Sequence, residues 1–90
     1  MYKLADHVAI EINEEMNTNV LIDLEEGTLY RLNHTAIDLL QHIDSTGCIS
    51  SYVEKVSLHS GLSHSQIAID TNNYINELIR KGHLVYYDER

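Results

Sequence analysis

"TLYRLNHTAIDLL", residues 28–40, decides the fold. Thr28 to Leu32 reads as a short strand, with Tyr30 and Leu32 on one face and Leu29 and Arg31 on the other. Asn33 follows at once and is a good helix N-cap, because its side-chain oxygen can accept a free N–H of the first turn. Ala36, Ile37, Leu40 and Ile43 then recur at helical spacing, and Gly47 stands just past the last of them. The junction holds no convincing nucleophile, no acid–base pair and no metal cluster.

Working back toward the N-terminus, Val20, Ile22 and Leu24 alternate with other residues, and "LEEGT" follows. Gly27 can supply the positive φ of a short hairpin loop, so residues 20–24 should pair with 28–32. Val8, Ile10 and Ile12 show the same period of two, and the stretch from Asn13 to Asn19 between them is polar and turn-like. The expectation is a three-stranded antiparallel meander with Thr28–Leu32 at its edge. Working forward, Ser51-x-x-Glu54 is a capping-box pattern that opens a short second helix ended by Gly61. Ser63-x-x-Gln66 opens a third helix of about five turns that runs to Lys81 and stops at Gly82. "HLVYYD", residues 83–88, reads as a final extended piece that could form a wing or cover the sheet edge. The fold class is α+β: a winged helix-turn-helix with a three-stranded antiparallel sheet followed by three helices, in one domain over residues 1–90.

Composition narrows the function. Fourteen acids against six Lys and Arg give a formal charge of −8. The first 45 residues hold nine acids against Lys3 and Arg31, and the remainder five against four. Such a chain is repelled by phosphate backbones, which argues against a nucleic-acid partner. A single cysteine, Cys48, excludes an internal disulfide and fits a reducing cytosol. No apolar run reaches membrane-spanning length, and the N-terminus lacks a signal-peptide core. The expectation is a soluble cytoplasmic domain with no membrane partner.

Catalysis finds no support in the residues. His59 and His64 are separated by Gly61, which breaks any shared helix face, and His34, His42 and His83 have no partner at metal-ligand spacing. Cys48 beside Ile49 is an ordinary setting for a small structural thiol. No metal, no cofactor and no catalytic residue is assigned, and the chain is not expected to be an enzyme. The third helix carries an apolar stripe of Ile67, Ala68, Thr71, Tyr74, Ile75 and Leu78, which reads as core. Its opposite side holds Ile69, Asn72, Asn73, Asn76 and Arg80, with Ile79 at the margin, a poor set for DNA and a better one for a peptide wall. An edge strand with only Arg31 to blunt it could accept an incoming strand.

"LIDLEEGTLYRLNHTAIDLLQHID", residues 21–44, resembles the PqqD-like domains, the precursor-peptide recognition elements of ribosomal peptide pathways. Their run is an apolar strand, an acidic-Gly turn, an aromatic-x-Leu-Asn strand end, a small-residue helix start and a leucine-rich helix. Tyr30, Leu32, Asn33, Thr35 and Ala36 match it, and "IDTNNYINELIRKGHL" resembles the closing helix with its Leu-x-x-x-Gly ending. The resemblance spans roughly residues 8–88. It implies a winged helix-turn-helix that binds a leader peptide as an added strand and presents it to a separate modifying enzyme. Carried onto this chain, the peptide-binding surface would be Thr28, Leu29, Tyr30, Arg31 and Leu32 with Ile69, Asn72, Asn76, Ile79 and Arg80. A free-standing domain of this size is similar to the recognition proteins of lasso-peptide pathways, where a leader peptidase and a cyclase act. It is also similar to the chaperones of radical-SAM enzymes, including the pyrroloquinoline quinone pathway. A DNA-binding winged-helix regulator and a structural enzyme subunit are the rivals from other classes. An unfilled edge could also pair with its own copy in a homodimer.

Overall fold

The computed structural model describes residues 1–16 and 18–88. Three strands, β2 (Val8–Asn13), β3 (Thr18–Asp23) and β4 (Thr28–Arg31), form an antiparallel meander in that order. Three helices follow: α1 (His34–Thr46), α2 (Ile49–Ser60) and α3 (His64–Arg80). Two short strands, β1 (Tyr2–Leu4) and β5 (Leu84–Tyr86), pair antiparallel as a second sheet. The whole is the winged helix-turn-helix expected of the sequence, with β1 as an addition. A three-residue strand is too short to show a period, and its partner lies some eighty residues away, so nothing local marks it.

The hairpin between β3 and β4 needs Gly27, whose φ is +73°, where a Cβ would be strained. Asp23 fixes the same turn by accepting from the N–H of Glu25 and Glu26, both at 3.0 Å. Asn33 caps α1 as its sequence suggests, accepting from Ala36 N–H at 2.8 Å. Ser63 caps α3 by accepting from Gln66 N–H at 3.2 Å. The capping box expected at Ser51-x-x-Glu54 is a correction. Helix α2 begins at Ile49, two residues before Ser51, and its N-cap Cys48 makes no side-chain cap bond. Ser51 lies inside the first turn, where its hydroxyl meets His42 Nε2 at 2.6 Å and donates to the Cys48 carbonyl at 3.2 Å.

The core is built from Leu21, Leu40, Ile43, Tyr52, Ile75 and Leu84, all nearly sealed from solvent. The phase of β3 follows from it. Leu21 and Asp23 face inward, while Val20 and Ile22 stand on the outer face and Leu24 beyond them is 65% exposed. Alternation alone is symmetric between two faces when both carry aliphatic residues, and a one-residue slip exchanges them. On β4, Tyr30 and Leu32 pack against the core, and Leu29 and Arg31 are exposed.

Candidate functional site: an open strand edge beside a groove

The register of the meander decides which backbone groups are free. Leu32 N–H donates to the Asn19 carbonyl at 2.8 Å, so residues 19 and 32 form a hydrogen-bonded pair. In an antiparallel ladder such pairs alternate, which makes Leu21↔Tyr30 and Asp23↔Thr28 the next two. Leu29 and Arg31 therefore turn their N–H and C=O away from β3. Among the described residues β4 has no other neighbour, since β5 is paired with β1 and does not reach this edge. The open edge thus offers two N–H donors and two carbonyl acceptors, with the Leu29 and Arg31 side chains directed to the outer face of the sheet.

Behind the edge lies a groove between β4 and α3. It encloses about 130 Å³ and is lined by Leu21, Tyr30, Leu32, Tyr74 and Leu78, with Arg31 at the strand edge and Glu77, Lys81 and His83 at its polar side. A cavity of about 150 Å³ accepts a benzene-sized group, so this one has room for a single bulky side chain. A second cavity of about 180 Å³ adjoins it at Tyr74, between the start of α1 and the first half of α3.

The end of α3 positions the groove's polar side. His83 N–H donates to the Leu78 carbonyl and Gly82 N–H to Ile79, with Gly82 at φ +79°. This is the Schellman closure, and it turns the chain so that His83 sits beneath Tyr30. His83 is 2% exposed, and its ring meets Tyr30 edge-on at 4.9 Å. Its Nε2 lies 3.2 Å from Asp23 Oδ2. The Glu26 N–H holds the Asp23 carboxyl below the usual carboxylate range against the opposing push of burial, and the Glu25 N–H, His7 and His83 add to the effect. An ionised carboxylate only accepts, so His83 Nε2 is the donor. One side chain therefore ties the hairpin turn, the end of α3 and the back of Tyr30 together. Above Tyr30, Lys81 Nζ stands 5.1 Å from the ring centroid and 3.6 Å from Glu77.

The residues expected from the sequence separate into two groups. Thr28, Leu29, Tyr30, Arg31 and Leu32 all lie on or directly after the edge strand, and the buried Thr28 hydroxyl has no hydrogen-bond partner among the described residues. Ile69, Asn72, Asn76, Ile79 and Arg80 are exposed and do not line this groove. Asn72 instead lines a cavity with Met1, Cys48 and His64. Arg80 Nη2 donates to Glu77 Oε1 at 2.5 Å. The helix face turned to β4 is Tyr74, Glu77, Leu78 and Lys81, the margin of the apolar stripe. A stripe read as fully covered hides such a margin. The half-exposed Tyr at its border was the available signal.

Several other chemistry-bearing groups are engaged locally. Histidine ring nitrogens of His42 and His59 bond Ser51 and the Lys55 carbonyl. The Cys48 thiol is lowered to about 7, chiefly by its hydrogen bond with Ser50, whose hydroxyl is 3.2 Å away. No group of three or more His, Cys, Asp or Glu is placed to hold a metal among the described residues. No helix among them is long and apolar enough to cross a membrane.

Known proteins share this architecture. The solved structure described as lasso peptide synthetase B1 complexed with the leader peptide superposes with a TM-score of 0.83 at 15% identity, covering 94% of this chain and 98% of the other. The structure of TbiB1 in complex with the TbiA(beta) leader peptide gives 0.77 at 18% identity, covering 97% and 99%. No curated protein matches. The family model for coenzyme PQQ synthesis protein D matches residues 18–84, a span that runs from β3 through the open edge and all three helices to the first residue of β5. The chain belongs to the PqqD family.

Proposed function

We propose that this chain binds the leader segment of a ribosomally made precursor peptide as a fourth strand on β4. It delivers the segment to a separate modifying enzyme and performs no chemistry itself. In this reading residues 1–90 act as one recognition domain. The observation that carries the proposal is the coincidence of an unpaired edge with a groove behind it. Leu29 and Arg31 offer backbone bonds, while Tyr30, Tyr74 and Leu78 offer a place for the side chain that enters between them. The pairing is strand addition, in which the main chain supplies affinity and alternate pockets supply specificity.

Magnitudes show why both parts are needed. Four backbone bonds at roughly 0.5–1.5 kcal/mol net give about 2–6 kcal/mol. Ordering a flexible segment costs on the order of 2–5 kcal/mol. Edge pairing alone nearly cancels, so the groove must supply the surplus. Burying one Leu-sized side chain contributes about 1.5–3 kcal/mol, which brings the sum into a useful range.

A lasso-type pathway, with a leader peptidase and a cyclase as the acceptors, is the favoured setting; a solved protein of the same fold described as a lasso peptide synthetase B1 with its leader supports it. The family's description, which names coenzyme PQQ synthesis, supports a second setting in that pathway, where the resemblance implies a peptide chaperone for a radical-SAM enzyme. Titration of Arg31→Pro with the synthetic cognate leader tests the strand-addition step common to both. Proline removes an edge N–H and leaves the core untouched. Binding should be lost while helical circular dichroism persists. Unchanged affinity in the folded variant would place the site elsewhere.

A further inference from the structure

The edge strand has an outer face, and it belongs to the recognition surface as much as the groove does. Leu29 is 66% exposed. Arg31 is exposed and makes no ion pair or hydrogen bond among the described residues. On the same row of the outer face stand Val20 and Glu11, and the pairing Glu11↔Val20↔Arg31 puts Glu11 two strands away from Arg31. Two strand spacings are about 9.6 Å, beyond direct contact. The other basic residues nearby are already engaged: Lys81 with Glu77 and the Tyr30 ring, and Arg80 with Glu77. Among the described residues Arg31 is therefore the unneutralised cation of this edge, on a chain of net charge −8.

A strand added to β4 must alternate its side chains as β4 does. The guest residue opposite Tyr30 falls on the inner face and enters the groove. Its two neighbours fall on the outer face, opposite Leu29 and Arg31. Because Leu29 and Arg31 hold the free backbone groups, these two guest residues sit in hydrogen-bonded pairs when the guest runs antiparallel to β4, and register is then fixed directly by the main chain. The geometry points to a three-residue code: an acidic residue opposite Arg31, a bulky apolar residue opposite Tyr30 and an apolar residue opposite Leu29, consecutive in the guest in whichever direction it runs. The inference rests on the strand-addition reading and names the class of leader it accepts. Acidic guests gain from Arg31 as a cross-strand partner, whereas a basic guest residue there faces a like charge. The groove reads shape, and the outer face reads charge.

Selection from a display library of short randomised peptides tests this even while the natural leader is unidentified. Peptides enriched on the wild-type protein should share the acid–bulky apolar–apolar core and fail to bind Arg31→Pro. Replacing the acid by Gln in an enriched peptide should weaken binding by about two- to fivefold at low salt, the scale of one cross-strand charge pair. Selection on Arg31→Glu should replace the acid by Lys or Arg, and Arg31→Gln should remove the preference. Peptides that depend on the edge but show no acid, or that keep the acid on Arg31→Glu, would sink the code and leave strand addition standing. Peptides that bind Arg31→Pro undiminished, or a selection that enriches nothing, would overturn both.

Discussion

The meander has two outer strands, and only one of them looks like a docking edge. On β2 the bond from Leu24 N–H to the His7 carbonyl sets the alternation, so Ile10 and Ile12 turn their backbone groups to the open side. Val8 N–H is taken by the Ala5 carbonyl, which closes one end of that edge. The space behind its other end is lined by Asn13, Glu14, His34 and Gln41 as well as Ile12 and Ile37, and Glu11 stands on the strand itself. Behind β4 the lining is Tyr30, Tyr74 and Leu78 with Lys81 at the rim. Both strands have unpaired polar groups. What separates them is what lies behind each: His34 and Gln41 of α1 give β2 a polar border beside its own acids Glu11 and Glu14, and α3 gives β4 an apolar slot with Glu77 and Lys81 at its side. A free edge is common to every open sheet, so selectivity between edges has to come from the second layer.

The largest expected effect breaks the comparison outright. Ile12→Pro removes an edge N–H from β2 as Arg31→Pro does from β4. Leader affinity should fall by roughly tenfold or more in Arg31→Pro, the loss of one to two backbone bonds, and stay unchanged in Ile12→Pro. Equal losses in both would mean that the variants act through sheet stability.

A second experiment concerns how the two hairpins are held. The β3–β4 turn is fastened by Asp23, which reaches Glu25, Glu26 and buried His83, whereas among the described residues the β2–β3 turn shows a single exposed side-chain bond, from Met16 N–H to Asn13 Oδ1. The Asp23 carboxyl titrates below its usual range when folded. A group with a depressed folded pKa contributes stability above its unfolded value, near 4, and that contribution is lost as pH falls through the folded value. The urea midpoint should therefore drop as pH falls below about 4, and Asp23→Asn should show a shallower drop from a lower starting midpoint. Parallel pH curves for the two proteins would remove Asp23 from this role.

Smaller effects sharpen the picture at the rim of the groove. Lys81 covers Tyr30, so Lys81→Ala should change leader affinity by about two- to fivefold, the scale of an exposed cation–π contact. Arg80→Ala should leave it unchanged, because Arg80 is bonded to Glu77 outside the groove. A reversed order in calorimetry would return Arg80 to the surface expected from the sequence. Duplex DNA should give the smallest signal. The exposed face of α3 carries Asn72, Asn73 and Asn76 with Asp70, and anisotropy at low salt should show no saturable binding. Micromolar binding would favour a regulator.

Much of this was legible in the sequence because each element carried its own punctuation. Asn33 and Ser63 cap their helices as their positions suggest, and Gly27 and Gly82 sit where the chain takes positive φ. Three features were not legible, for separate reasons. The pairing of Tyr2–Leu4 with Leu84–Tyr86 joins strands too short to show a period. The inward phase of β3 places a carboxylate, Asp23, in the interior, which hydrophobic alternation cannot anticipate because its compensation by His83 comes from sixty residues away. The groove wall on α3 fell to the border of the apolar stripe. A helical projection says which residues share a face and is silent on how far the neighbouring sheet covers it.

The small β1–β5 sheet has a consequence for how such a domain can be built into other chains. Tyr87 N–H donates to the Met1 carbonyl at 2.9 Å, and Tyr2 N–H donates to the Gly47 carbonyl at 2.9 Å. The path of the chain is thus almost a closed ring, with its entry and exit side by side on the α1–α2 corner. A ring of this kind can be spliced into a surface loop of a host protein without stretching either of them, and its ends can be joined and a new opening cut at the exposed 14–16 turn. In both constructions β4 stays an outer strand of the meander, so a host enzyme could carry its own peptide reader as an insertion.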